Sequence, residues 1–449
     1  MLTILDFIHF ITGNEKSLIQ RENNKDVVVI KNKIFGEIKV QAHLEFPYEV
    51  WIQDCTIDGN FEIEAGKYRD RFIIERTEVK NLTITGGEFK QGLFINNCKV
   101  LDGIVLYKKE NAIFYPAFVS IENNSAKYVS VNNLDFEYIN FSQNEVSSIV
   151  VSNSLIYPET AERKFEHLYS KVKYFNFSLK EKTKLIVDYQ EIEKLSFNGS
   201  LNSAEISMNM IKVQELSFQE FTKPSSGILN LSRIKPLNDK SSVTIRNSFL
   251  GSTSFYDCDF ASFKSFSVAS SHFIELIYAN TTWPKEISIA NVDKFTPSPY
   301  SSEDVNVQLR ETFRQLKISA SKQGDKLQEA VVYRNEMVYL NKTLSSNTHF
   351  TTKLSLLLSL ISNNHKQNWI LPIIWLFVLN IFFVLITFSN GICHLNFNWA
   401  IFFNLLNPAH RFSDLEIGKS FLNLLVDFSS RIINGFLIYQ IVTAFRKLS

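Results

Sequence analysis

Residues 61–107 read FEIEAGKYRDRFIIERTEVKNLTITGGEFKQGLFINNCKVLDGIVLY, and the spacing of their apolar positions decides the fold. Ile63, Tyr68, Ile74, Val79, Ile84, Phe89, Ile95 and Val100 follow one another every five or six residues. An amphipathic helix needs apolar steps of three and four, and a hairpin sheet needs strict alternation broken by turn signals. Neither template holds over so many units. A repeat near twenty residues instead marks a solenoid, in which each coil pairs its strands with the coils above and below.

The same beat returns in VSVNNLDFEY, INFSQNEVSS and IVVSNSLIY, from Val129 to Tyr157, and Phe177, Phe197 and Phe218 lie 20 and 21 residues apart. The expected fold is therefore all-β, a right-handed parallel β-helix followed by helices; its five-residue beat resembles degenerate pentapeptide repeats, and a less regular β-helix is the alternative. It covers residues 27–295 behind an N-terminal cap at 1–26. Roughly a dozen coils at about 4.8 Å per layer give a rod on the order of 60 Å long. Residues Tyr157 to Lys173, with PETAERKFEH, break the beat and are expected to leave the rod and carry a short helix.

Composition agrees with such an interior. The 449 residues include 39 phenylalanines and only 15 glycines, and 45% are hydrophobic, which excludes disordered and collagen-like classes. Lysine plus arginine (47) nearly cancels aspartate plus glutamate (46), without a basic stripe, so nucleic acid is not the expected partner. Of the four cysteines, Cys55 and Cys98 sit 43 residues apart in the related stretches IQDCTIDG and INNCKVLDG, about two coils, and Cys258 repeats the local pattern in YDCDFASF. They read as small inward or turn residues in a reducing compartment rather than as metal or redox sites. The opening MLTILDFIHFITG lacks a basic leader and a cleavage site, and reads as an amphipathic cap.

The beat stops at NVDKFTPSPYSSED, where Pro297 and Pro299 end pairing and Ser301 or Ser302 can cap a helix. Leu309, Phe313, Leu316 and Ala320, then Leu327, Ala330, Met337 and Leu340, flank a Gly324-Asp325 turn, giving a helical hairpin over 303–345. A membrane region over 350–449 comes next. The leucines of FTTKLSLLLSLI (Phe350 to Ile361) suit a membrane surface. Residues 369–388 carry no charge over twenty positions, about 30 Å as a helix, the thickness of a hydrocarbon core. A second span runs over 421–445, flanked by Arg446 and Lys447.

Within the second span Asn423, Asp427, Arg431 and Asn434 recur every three or four residues and share one face, which reads as an oligomer seam or pore wall. Counted from Arg446, Asp427 lies about 28 Å away, Arg431 about 22 Å and Asn434 about 18 Å, so Asn434 is the polar group nearest mid-membrane. Between the spans, Phe397 to Leu406 can form a short re-entrant helix ending at Asn407-Pro408, with Asn404, Asn407, Pro408 and His410 as the loop's polar and turn residues. An amphipathic loop helix is the alternative.

LRETFRQLKISASKQGD, YRNEM, SNNHKQNW, LLNPAH and RIINGFLIYQIVTAFRK together resemble the C-terminal region of bacterial pentapeptide-repeat or β-helix membrane proteins. In that group a two-span segment, similar to the pore module of potassium channels, follows the coils and a helical hairpin. The rod, without an export signal before it, is expected to stay in the cytoplasm, which leaves both termini inside and residues 390–418 outside; the resemblance implies that the membrane crossed twice is the bacterial inner (plasma) membrane. It departs from potassium channels in having no TVGYG-like filter between the spans.

No enzymatic site is expected. Asp54, Asp58, Glu75, Glu78 and Lys80 read as solvated coil turns, and the histidines form no HExxH-like cluster; His394 and His410 merely share the loop between the spans. The expected partners are the lipid bilayer, further copies of the chain and a cytosolic protein on the rod, with no cofactor or metal. The expected function is a homo-oligomeric ion channel or permeabilising subunit gated or sensed through the rod. The alternative is a membrane-tethered scaffold, and a carbohydrate-active β-helix enzyme is more distant.

Overall fold

The structure is a computed structural model of the full chain. It describes all residues except 1, 3, 12–18, 23–24, 42–44, 109–113, 153–168, 285, 291–301, 346–348, 366, 390–398, 412–419 and 446–449. Most of the expected excursion, the proline segment after the rod, Cys393, His394, Arg446 and Lys447 lie outside the described residues. The chain divides into two units, Met1–Asn291 and Val292–Ser449.

The N-terminal unit is a parallel β-solenoid of about 11 turns. The residues that keep the five-residue beat stack coil on coil: Ile63 pairs with Ile84, Tyr68 with Phe89, Ile74 with Ile95 and Val79 with Val100. All eight are buried. One column of strands runs through Glu49–Gln53, Phe72–Glu75, Leu93–Asn96 and Phe118–Glu122. A second runs through Thr56–Ile63, Glu78–Ile84, Gly103–Tyr107 and Tyr128–Asn132. A narrower sheet of Glu45–Phe46, Lys67–Tyr68, Gly87–Phe89 and Phe114–Pro116 lies in the early coils. The expected excursion ends sooner than its pattern suggests, because Ser170–Ser178 is already a strand paired with Phe136–Ser142.

A recurrent corner closes the coils. Asp54, Arg76, Asn97, Asn123 and Gln143 all take left-handed backbone angles, with φ between 47° and 54°. Each is followed by an inward residue with a hydrogen-bond donor: Cys55, Thr77, Cys98, Asn124 and Asn144. These side chains donate to the carbonyls of Ile30, Ile52, Ile74, Ile95 and Ile121 in the preceding coil. A buried carbonyl left without a partner costs about as much as a lost hydrogen bond, so the column needs small donors rather than hydrocarbons. The cysteines are thus interchangeable in role with threonine and asparagine. Burial pushes the Cys98 and Cys258 thiols up to about 12.

Aromatic rings fill the axis. Phe46, Tyr68 and Phe89 stack at 4.6 and 4.5 Å, and Phe197 lies on Phe218 at 4.6 Å. Helix α1 (Ile4–Ile11) sets Phe7 edge-on against Phe35 and Phe61, at 5.5 and 5.4 Å. Outward charges pair between coils, as in Arg76 with Asp54 and Lys99 with Glu78.

The C-terminal unit is helical. Helices α2 (Ser302–Lys322) and α3 (Lys326–Thr343) pack on one another through Phe313 and Tyr339, whose rings stack at 5.5 Å. Gly324 adopts φ +72 between them, and Asp325 caps α3 by accepting from the Gln328 amide. Leu327, expected on the packed face, is 75% exposed; Val332 and Glu336 are buried in α3 instead, Glu336 paired with Lys317 at 2.7 Å. Then come α4 (Phe350–Asn363), α5 (Ile370–Ser389), the short α6 (Trp399–Leu406) and α7 (Phe421–Phe445). Among the described residues only α7 is long and apolar enough to cross a membrane; the apolar stretch Ile370–Ile386 of α5 is shorter.

Asn124→Ala removes the donors to Ile95 and Asn144 together with the acceptor for the Cys98 amide, and is expected to destabilise the chain by roughly 1–3 kcal/mol. Tyr68→Phe removes a buried hydroxyl that meets no partner among the described residues, and is expected to stabilise it by about 1 kcal/mol. Urea unfolding of the full chain, followed by β-sheet circular dichroism, measures both. Cys98 and Cys258 are expected to resist iodoacetamide at neutral pH until the protein is unfolded; prompt alkylation of the folded chain contradicts the corner geometry.

Candidate functional site

Helix α7 is turned inside out relative to a helix in water. Its buried side chains are Asn423, Val426, Asp427, Ser430, Asn434, Leu437, Gln440 and Ala444, which form one stripe along the helix. Leu424, Leu425, Phe428, Ile432, Tyr439 and Val442 are exposed. Helix α5 follows the same rule, with Asn380 buried and Ile374, Phe377, Val378, Ile381, Phe382 and Leu385 exposed. In water this arrangement exposes apolar surface and desolvates amides; in hydrocarbon it does neither.

The inward polar groups are satisfied at three levels. Near the Phe445 end, Asn363 at the end of α4 donates to the Gln440 side-chain oxygen Oε1. At mid-helix, Asn380 and Asn434 form a reciprocal amide pair with both contacts at 3.0 Å, and Asn434 Nδ2 also donates to the Leu405 carbonyl at 2.7 Å. Toward the Phe421 end, Asp427 accepts from Arg431 at 3.0 Å and faces His410 Nε2 at 2.6 Å.

The middle level fixes the path of α6. Asn434 stands thirteen residues after Phe421 and eleven before Phe445, and Asn380 is the eleventh of the 20 residues of α5. The Leu405 carbonyl, at the last turn of α6 where the helix has no acceptor-satisfying bond of its own, is therefore held at the midpoint of both long helices. Ile401, Phe402 and Leu405 pack with Phe383, Val384 and Val426 beneath it. The chain then turns at Asn407-Pro408, where the Asn407 side chain accepts from the Ala409 amide, and returns to His410. His410 lies beside Asp427, seven residues and about 10 Å nearer the start of α7 than Asn434.

Of the residues singled out in the sequence, Asp427, Arg431, Asn434 and His410 are brought together with α6 within one chain. Asn423 is buried on the same stripe, and its amide nitrogen of the backbone bonds Ser420 Oγ. Asn404 and Pro408 are half-buried and Asn407 is exposed. Residues missed in the sequence are Asn380, Gln440 and Asn363. Asn380 had a signal, as the single amide in WILPIIWLFVLNIFFVLITF.

The segments that carried the sequence resemblance also meet. Arg334 of YRNEM donates to the Asn364 side chain at 2.9 Å, and the neighbouring Asn363 of the same SNNHKQNW segment holds Gln440 of IYQIV. Asn364 and His365 are both left-handed, at φ 51° and 53°, and burial followed by the Arg334 charge pushes His365 down. Helix α3 is thereby tied to the junction of α4, α5 and α7.

No protein-family model, curated protein sequence or solved structure matches this chain.

Asn434→Leu strips the Leu405 carbonyl and Asn380 of their partner. In a double-mutant cycle with Asn380→Leu, the two changes are expected to be less than additive, with a coupling of about 0.6–2 kcal/mol, measured by unfolding in detergent. Full additivity contradicts the amide pair.

Proposed function

We propose that the chain is an integral membrane protein that crosses the bilayer through α5 and α7, with α6 re-entrant between them, and that several copies assemble around a path for ions. One observation carries this reading: the C-terminal end of α6 is held at the midpoint of α5 and α7 by Asn434. A helix that ends at such a depth needs protein or water around its last carbonyls, and it is the element a permeation path requires between two spans. Two spans and one re-entrant helix cannot enclose a path, so the proposal requires homo-oligomers.

On this reading α2 and α3 form a hairpin tied to the spans through Arg334 and Asn364. The solenoid, akin to pentapeptide-repeat rods, serves as sensor or gate on the cytoplasmic side of a bacterial inner membrane, with both termini there. A second reading, a membrane-tethered scaffold, is favoured by an outward aromatic column: Phe94, Phe118 and Tyr138 stack at 5.1 and 4.5 Å on the rod surface and offer a flat face to a protein partner.

Reconstituted full-length protein is expected to be oligomeric and to pass ions across liposomes, with flux altered by Asn407→Ala at the exposed turn. Monomeric protein in mild detergent with no flux removes the channel reading. If an unrelated two-span anchor in place of residues 369–445 preserves the biological activity, the scaffold is correct.

A further inference from the structure

We propose that His410, Asp427 and Arg431 form a proton-binding site that fastens the returning arm of the α6 loop to α7; the inference rests on the re-entrant reading of α6. Both ring nitrogens of His410 face oxygens. Nδ1 lies 2.6 Å from the Asn407 carbonyl and Nε2 lies 2.6 Å from Asp427 Oδ1. The carbonyl has no hydrogen to give, and the Asp427 carboxylate, which accepts from Arg431 through Nε at 3.2 Å and Nη2 at 3.0 Å, has none either while ionised. A neutral imidazole carries one N–H and satisfies one of these contacts; the imidazolium satisfies both.

The fastened state is therefore a cation–anion–cation row, His410–Asp427–Arg431, with the His410 and Asp427 side chains only 2% and 9% exposed. Helices α5 and α6, which pack on α7, contribute no ionisable side chain, and among the described residues Arg411 is the neighbouring cation on the loop itself. When the ring releases its proton to water, one nitrogen lone pair is left facing an oxygen lone pair and the charge pair with Asp427 is lost. Because the fastened state holds one proton more than the released state, low pH favours it and rising pH releases the arm. Histidine is the side chain whose charge ordinarily changes between about pH 5 and 8. Asn434 involves no titrating group, so the tip of α6 stays seated while residues 407–411 loosen.

The test uses full-length protein in lipid nanodiscs with Cys393→Ser and a nitroxide label at Ala409→Cys, on the exposed turn. Electron paramagnetic resonance is compared at a low and a high pH, and is expected to show an immobilised label at the lower value and a mobile one at the higher. Adding His410→Gln is expected to abolish that dependence. Ring-nitrogen magnetic resonance of His410 in the unsubstituted protein is expected to show both nitrogens protonated in the immobilised range. Identical spectra at the two pH values, the same transition in His410→Gln, or a ring with one bare nitrogen in the fastened state overturns the proposal. A label at Phe403→Cys separates the two readings: ready quenching by a water-soluble nickel complex rather than by oxygen overturns the re-entrant placement, while the Ala409 titration still decides the proton site.

Discussion

Both units of this protein are organised by the need to satisfy main-chain carbonyls that are cut off from water. In the solenoid the need arises at the corner of each coil, where a left-handed residue turns the chain and the carbonyl of the coil below points inward. Cys55, Thr77, Cys98, Asn124 and Asn144 answer it with a side-chain donor. In the helical unit it arises at the end of α6, and Asn434 answers it. A polar side chain pointing inward costs free energy unless it is bonded. In both units that bond goes to a neighbouring turn or element, so these inward donors set register.

The constraint also explains what kind of environment the helical unit suits. Bonding Asn380, Asn434, Asp427, Arg431, His410, Asn363 and Gln440 among themselves leaves α5 and α7 with outward faces of leucine, isoleucine, valine and phenylalanine. Such a surface is unfavourable in water and neutral in hydrocarbon. Because the inward groups are satisfied within one chain, the assembly proposed for the chain would draw on the outward faces and on the loop tip at Asn407. Under the proposed function, a path for ions depends on how α6 and its return are presented to neighbouring copies, with the polar stripe of α7 as their support.

The solenoid was legible in the sequence because its ladder is periodic: Ile63 to Val100 kept a beat that no helix or hairpin tolerates, and each of those residues lies in register with a partner one coil away. Its corners were not legible as such. Arg76, Gln143, Tyr189 and Met210 have no preference for left-handed angles, and adopt them because the coil must turn there. The stripe on α7 was legible from spacing alone, and so was a short helix ending at Asn407. The direction of the stripe was not, since Asn380 lies 54 residues from Asn434 and local pattern carries no information about so distant a partner. Leu327 shows the opposite failure, an apolar residue at helical spacing left in the open because Val332 and Glu336 take the packed face.

The depth of α6 is the point on which the functional account turns. A cryo-electron microscopy map of the full-length protein in lipid nanodiscs measures it directly. The account predicts more than one copy, with the Leu405 carbonyl and the Asn434 amide in contact at the middle of the bilayer. A map with α6 lying flat at the membrane surface, and with Asn434 facing lipid or a helix of another copy in place of Leu405, contradicts it.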